Sequence, residues 1–188
     1  MIRQLVLTLE KIPKWYGIII ILLYCILFAE YISTIFNLVP FDKTIANFHF
    51  MFLKINYFTT LFISIIIWLV LSFLFHLTAL LFDGSSSFSR FLFTSSYFLV
   101  IQVFVSVICI FALDKIPVLD FENFMYEMQN NSTIQFAKYL INFSFIVYYL
   151  IIIILIHYIY QIKYIYAFLS VAIPLLSIWG ITELFKLI

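Results

Sequence analysis

The chain has 188 residues, of which 66% are apolar and only 10% are charged, and its formal net charge is +1. A soluble domain is about half apolar and about a quarter charged, so this composition excludes an ordinary soluble fold and indicates a chain solvated mainly by lipid. The charges form no basic patch, which excludes nucleic acid as an expected partner.

Five apolar runs dominate the chain after an amphipathic start. Residues 1–14 place Leu5, Leu9 and Ile12 on one side, and form either a short helix on the membrane surface or a cationic lead-in to the first span. A membrane-spanning helix needs roughly 20 apolar residues. Five runs meet this requirement, at residues 15–36, 57–82, 91–113, 139–160 and 164–185. Because the backbone must satisfy its own hydrogen bonds in lipid, we predict an all-α bundle of five transmembrane helices in a single membrane domain, 1–188.

The connectors between these spans are of two kinds. Asp83–Arg90, rich in Gly and Ser, and Gln161–Lys163 are tight turns that join consecutive spans into hairpins. Residues 37–56 and 114–138 are longer loops. In the second of these, acids interleave with apolar residues from Phe121 to Met128, which predicts a short interfacial helix.

The orientation prediction rests on Lys and Arg near the spans, because these residues are enriched on the cytoplasmic side. One side carries Arg3, Lys11, Lys14, Arg90 and Lys163, and the other carries Lys43, Lys54, Lys115, Lys138 and Lys186. The first set is denser and lies closer to the spans. We therefore predict the N-terminus and both tight turns inside, and the C-terminus outside.

Ionisable residues within the spans are functional candidates, because charge is costly in lipid. Glu30 lies toward the outer end of the first span and is either functional, or protonated, or extended to the headgroups. His76 and His157 lie near the inner ends of the second and fourth spans. The two imidazoles either face one another, as a proton relay or a weak metal pair would require, or each bonds to a neighbouring helix.

Two spans also carry polar residues at helical spacing, and these seams either line a substrate path or pack helices together. The first seam is Thr60, Ser64, Trp68, Ser72 and His76, and the second is Ser95, Gln102, Ser106 and Cys109. Pro174 in the fifth span predicts a kink.

No motif in the chain predicts a reaction. Nucleophile elbows, Walker loops, GxGxxG and HExxH are all missing, and the acids mostly populate one outer loop. The two cysteines, Cys25 and Cys109, fall in apolar runs and are expected to be buried thiols. We therefore expect no catalytic residues, no metal and no cofactor, and predict that the protein is not an enzyme.

The segment Phe75–Ile110, FHLTALLFDGSSSFSRFLFTSSYFLVIQVFVSVICI, resembles the core of the Yip family of five-span membrane proteins. The shared pattern is a histidine-bearing span, a glycine-bearing turn, a Ser-Phe pair, a basic residue and a span with an early tyrosine. The matching residues are His76, Gly84, Ser87, Phe88, Arg90 and Tyr97. The last hairpin, Tyr148–Leu176, is similar through Lys163 in its turn and Pro174 in its second helix, so the resemblance covers residues 57–188.

The resemblance carries expectations about partners and location. Eukaryotic members engage Rab-type GTPases through a long cytosolic N-terminal region and carry a DLYGP-type motif. This chain has about 14 residues before its first span, lacks that motif, and has Asp83 where a second glycine is usual, so GTPase binding is not expected. The chain looks more like the compact prokaryotic branch, which implies the bacterial cytoplasmic membrane and, for some members, association with ABC exporters.

Three functions remain open at this point. The favoured one is a non-enzymatic, Yip-like membrane protein that acts through partner proteins or on bilayer organisation, as an accessory to an export system. Its predicted partner-binding residues are Asp83, Gly84, Arg90 and Lys163. One alternative is a transporter or transport subunit, with a path lined by Glu30, Gln102 and the first seam. The other is a structural subunit of a larger membrane complex.

Overall fold

The computed structural model describes residues 2–9, 11–39, 46–117, 119 and 124–186. Within these ranges the chain is all-α, as predicted, and has no strand. The helices are α1 (Ile2–Leu9), α2 (Lys14–Asn37), α3 (Ala46–Leu81), α4 (Phe88–Ser96), α5 (Val100–Leu113), α6 (Phe124–Asn130), α7 (Ser132–Tyr160) and α8 (Tyr164–Lys186), with a 3₁₀ turn (Tyr97–Leu99) between α4 and α5. Lys43 and Phe121 lie outside the described residues, as do the side chains of Arg3, Leu5 and Lys186.

Five helical stretches of the described chain are long and apolar enough to cross a membrane, which confirms the predicted number of spans. The third stretch, Phe88–Leu113, joins α4, the 3₁₀ turn and α5. In each stretch, only 22% to 39% of the most apolar 18-residue window is buried inside the protein. The remaining apolar surface needs a lipid environment, so the chain is an integral, multi-pass membrane protein.

The helices extend beyond the apolar runs that predicted them. α3 begins at Ala46 and has 36 residues, a length of about 54 Å at 1.5 Å per residue, against a hydrocarbon core of about 30 Å. α7 begins at Ser132. The side-chain oxygen of the preceding residue, Asn131, accepts hydrogen bonds from the backbone N–H groups of Thr133 and Ile134, at 3.0 and 3.2 Å. Hydropathy therefore marks where a helix meets lipid, whereas capping groups mark where the helix begins.

Two short helices match the segments that the sequence predicted as amphipathic. α1 covers the N-terminal segment, and its Val6 side chain is 3% exposed while Gln4 and Thr8 face outward. α6 lies in the acidic loop. Their placement on the membrane surface remains a prediction.

The chain divides into two compact units. The first comprises residues 1–19, 67–98 and 147–188, and contains α1, α4, α8 and the C-terminal parts of α3 and α7. Its buried apolar residues include Phe75, Ala79, Phe91, Ile152, Leu155, Ile156, Ile159, Tyr160 and Ala167. Phe91 and Tyr160, at 0% and 1% exposed, pack edge-to-face with ring centroids 5.8 Å apart.

The second unit comprises residues 20–66 and 99–146. One cluster of buried residues forms its core: Tyr31, Leu38, Cys109, Leu113, Leu119, Ile134, Ala137 and Ile141. The backbone N–H of Leu119 donates to the carbonyl of Leu38 at 3.2 Å, which ties the segment after α5 to the end of α2. Both cysteines are buried free thiols, as predicted.

Candidate functional site

The first tight turn begins where α3 ends, in a Schellman arrangement. The N–H of Gly84 donates to the carbonyl of Ala79 at 3.1 Å, and the N–H of Asp83 donates to that of Leu80, also at 3.1 Å. This pattern requires a left-handed residue after the helix cap, and Asp83 provides it at φ 60°. Aspartate is among the few side-chain-bearing residues that adopt this conformation readily, because its short polar group bonds locally. The turn therefore forms with Asp83 in the position that a glycine usually takes.

Gly84 brings this turn against the end of α7. A Cβ at Gly84 would lie 2.6 Å from the Ala79 carbonyl oxygen and 3.0 Å from the Tyr160 side chain. The next residue, Ser85, donates its backbone N–H to the carbonyl of Tyr160 at 3.3 Å. Only a glycine permits this approach, so Gly84 acts by shaping the turn rather than by presenting a side chain.

The second tight turn, after α7, is held by the same kind of local geometry. Gln161 adopts φ 59°, and His157 Nδ1–H donates to the carbonyl of Ile162 at 2.6 Å. The Tyr164 ring stacks on the His157 ring, with centroids 3.7 Å apart and planes 19° apart. These contacts leave Lys163 exposed between a buried Ile162 and the start of α8.

The four predicted partner-binding residues thus have two different roles. Asp83, Arg90 and Lys163 are exposed, and each carries a charge on or beside a turn whose backbone is fixed. Gly84 is partly buried and structural. We define the turn surface as residues 83–87 together with residues 161–163.

The intramembrane histidines bond to different partners. His76 is 9% exposed, and its Nδ1 lies 2.5 Å from the hydroxyl of Tyr160. His157 bonds to the backbone of the second turn, as described above. Among the described residues, no group of three or more His, Cys, Asp or Glu side chains is arranged to hold a metal ion. These contacts favour the interpretation in which each imidazole bonds to a neighbouring segment.

Gln102 and Glu30 lie in the second unit, in unlike surroundings. Gln102 is 1% exposed, and its Nε2 donates to the Ser144 carbonyl at 2.9 Å, whereas its Oε1 has no hydrogen-bond partner among the described residues. Glu30 is exposed in the C-terminal third of α2, and its backbone carbonyl accepts from the Thr34 hydroxyl at 2.9 Å. The structure does not bring the carboxylate of Glu30 and the amide of Gln102 into a common hydrogen-bond network.

The seams that the sequence identified lie on buried faces. In the first seam, Ser64, Trp68, Ser72 and His76 are at most 9% exposed, and in the second seam all four residues are at most 1% exposed. Ser64 donates its hydroxyl to the Thr60 carbonyl one turn earlier, at 2.7 Å. A hydroxyl that donates its hydrogen bond to a carbonyl of its own helix needs no other partner, so a neighbouring helix can pack closely against it.

One further contact was absent from the sequence prediction. Pro174 has no N–H, so the carbonyl of Ser170 loses the donor that an ordinary residue would provide four positions later. The Thr78 hydroxyl lies 2.7 Å from that carbonyl oxygen. The spacing of Ser170 and Pro174 predicts a freed carbonyl, but nothing in the sequence identifies Thr78 as its donor. Tyr160, the partner of His76, likewise has no signal in the sequence beyond its place at the end of a span.

Comparison of the chain with protein-family models, with curated proteins and with solved structures finds no match.

Proposed function

We propose that this integral membrane protein is non-enzymatic and acts by binding another membrane protein through its turn surface. One observation supports the proposal most directly. The Ser85 N–H bond to the Tyr160 carbonyl, with Gly84 packed on Tyr160, joins the two tight turns into a single ordered surface.

The charges on this surface suit the recognition of a polar partner. Asp83 and Lys163 are exposed, and left-handed residues together with local hydrogen bonds hold the backbone beside them in place. A surface ordered before binding loses little conformational entropy when a partner docks, so a few charged contacts suffice for specificity. An export component of the bacterial cytoplasmic membrane, as the Yip resemblance implies, is the partner that we propose.

The transporter alternative draws less support from the contacts. A path needs polar groups that are available to a substrate, whereas Ser64 donates to its own helix and the Gln102 amide donates to the Ser144 carbonyl. These bonds favour helix packing. A structural subunit of a larger complex agrees with the same contacts, and is distinguished from our proposal by whether the turn surface is needed for association.

The proposal is tested by quantitative cross-linking of the tagged full chain in native membranes, followed by purification and mass spectrometry of captured membrane proteins. Asp83→Asn and Lys163→Gln remove the two charges while keeping side chains of similar size. We expect the double variant to lower capture of the partner by about tenfold or more, since a charged contact at an ordered interface is worth at least about 1.4 kcal/mol.

The matched control is Lys54→Gln, which removes an exposed lysine that lies in α3, outside the turn surface. The control is expected to retain the partner. Equal capture by the wild type, the double variant and the control would rule out the turn surface as the docking site, and would favour a subunit held by its apolar faces.

A further inference from the structure

An open cavity of about 240 Å³ lies in the first unit, beside the start of α4. It is lined by Leu9, Ile12, Lys14, Ser87, Ser89, Arg90, Phe93, Thr94 and Tyr97. The segment before α2 forms one wall, and the Tyr97 hydroxyl lies 3.3 Å from both the Ile12 and the Pro13 carbonyl oxygens. The cavity is therefore bounded by hydrogen bonds between the 3₁₀ turn that follows α4 and the link from α1 to α2.

The Lys14 ammonium is held in this cavity by two contacts. Its Nζ donates to Ser89 Oγ at 3.4 Å and lies 5.3 Å from the centre of the Phe93 ring. An ammonium has three N–H groups, so the bond to Ser89 leaves two for a ligand. The positive charge of Lys14 therefore lies over the apolar ring of Phe93.

Hydroxyl groups add neutral donors around this ammonium. Ser89 Oγ accepts from Lys14, and Ser87 Oγ accepts from the backbone N–H of Arg90 at 3.4 Å, so neither bond uses the serine's own proton. The Thr94 hydroxyl, in contrast, donates to the Arg90 carbonyl at 2.8 Å, so Thr94 lines the cavity without offering a donor to a ligand. The cavity thus offers O–H and N–H donors that converge from Lys14, Ser87 and Ser89.

The charge of the lining determines the sign of the ligand. Both ionisable side chains that line it, Lys14 and Arg90, are cationic, and none of the described lining residues is a carboxylate. These described side chains suit an anion with several acceptor oxygens, because cationic and hydroxyl groups donate hydrogen bonds, whereas a hard metal cation needs oxygen ligands that are anionic or carbonyl. The volume is slightly below the roughly 300–1,000 Å³ of drug-sized sites, so it fits a small headgroup.

We infer that this cavity binds a phosphate group: that of an anionic phospholipid headgroup, or that of a soluble phosphate. Lys14 supplies the positive charge, Ser87 and Ser89 donate to its oxygens, and Leu9, Ile12 and Phe93 contact the carbon attached to it. The cavity and the turn surface share Ser87, but Lys14 and Ser89 line only the cavity and Asp83 and Lys163 lie only on the turn surface, so variants at these four residues test the two proposals separately.

The test is native mass spectrometry of the full chain, purified in detergent and stripped of lipid, during titration with phosphatidylglycerol, phosphatidylcholine and inorganic phosphate in separate arms. We expect one saturable site for phosphatidylglycerol. Lys14→Gln should raise its dissociation constant about tenfold, the effect of losing one hydrogen bond to a charged group.

Lys54→Gln is again a close control, because Lys54 also lies over a phenylalanine ring, at 4.2 Å from Phe50, but lines neither this cavity nor the turn surface. It should leave the site intact. A second pair keeps the test independent of Lys14: Ser89→Glu places a negative charge in the cavity and should abolish binding, whereas Ser85→Glu places it in the nearby turn and should not.

Each outcome decides the inference. Saturable phosphatidylglycerol binding that is weakened by Lys14→Gln alone supports a lipid headgroup, and inorganic phosphate binding with the same variant pattern supports a soluble phosphate. Equal losses in Lys14→Gln and Lys54→Gln indicate general attraction of anionic lipid to surface lysines and would overturn it. So would equal binding of phosphatidylcholine and phosphatidylglycerol, or no binding in any arm.

Discussion

Asp83 holds a backbone conformation that residues with a Cβ avoid, at φ 60°. The left-handed region costs an L-residue about 1–2 kcal/mol, and glycine escapes most of this cost. We expect Asp83→Gly to raise the free energy of unfolding by about 1 kcal/mol, measured by thermal unfolding of the protein in detergent. Ser85→Gly, at a position without positive φ, should not stabilise; a loss of stability in Asp83→Gly would show that the aspartate side chain holds the turn.

The side-chain amide of Gln102 is buried, but only half of it forms a hydrogen bond, so we expect it to contribute little to the free energy of unfolding. Its Nε2 bonds to the Ser144 carbonyl, but its buried Oε1 has no partner among the described residues. Hydrogen bonds between membrane helices average about 0.6 kcal/mol, so Gln102→Met should change stability by less than about 1 kcal/mol.

The comparison variant for Gln102 is Ile152→Ala, a truncation of a side chain that is 0% exposed. It should cost about 2–5 kcal/mol in the same unfolding assay. If Gln102→Met destabilises as strongly as Ile152→Ala, the hydrogen bond from Gln102 to the Ser144 carbonyl contributes more to stability than its geometry indicates.

The end of α3 depends on a glycine in a way that the interior of α8 does not. A Cβ at Gly84 would meet the Ala79 carbonyl oxygen and the Tyr160 side chain, whereas a Cβ at Gly180 would meet nothing within 4 Å. Gly84→Ala should therefore destabilise by about 1–3 kcal/mol, as overpacking does. Gly180→Ala should stabilise by up to about 1 kcal/mol, because alanine favours a helix interior. Unfolding measurements that show the same sign for both variants would contradict the close approach at Gly84.

The proline in α8 is accommodated by another helix. Pro174 frees the Ser170 carbonyl, and the Thr78 hydroxyl of α3 lies 2.7 Å from it. Thr78→Val should cost about 1–2 kcal/mol in the wild type. In a Pro174→Ala background the carbonyl regains its backbone donor, so the same substitution should cost less, and the double-mutant cycle measures this coupling. Additive effects would mean that Thr78 serves the carbonyls of its own helix at Leu74 and Phe75 instead.

At the scale of the whole molecule, five helices are long and apolar enough to cross a membrane, and if each crosses once, we predict the two tight turns on one side of the membrane and the loop that contains α6 on the other. We predict that the turns are cytoplasmic, because Lys and Arg near the spans are denser on their side. Ser85→Cys should react with a membrane-impermeant maleimide only after permeabilisation, and Gln129→Cys should react in intact cells. The native Cys25 and Cys109 are 1% and 0% exposed and should remain unlabelled as internal controls. Labelling of both introduced cysteines from one face would overturn the five-span topology.

The sequence alone determined the class, the number of spans, the two tight turns and which polar residues share a helix face, because hydropathy and helical periodicity are local properties of the chain. That the polar seams are buried was decided only by the tertiary structure. Only the tertiary structure decided which groups meet. His76 bonds Tyr160, which is 84 residues away, and Thr78 reaches the Ser170 carbonyl across 92 residues. Helix packing selects such partners, and many residues along the chain could donate equally well. The same holds for Lys14 and Ser89, whose contact over 75 residues builds the phosphate cavity that no local pattern predicts.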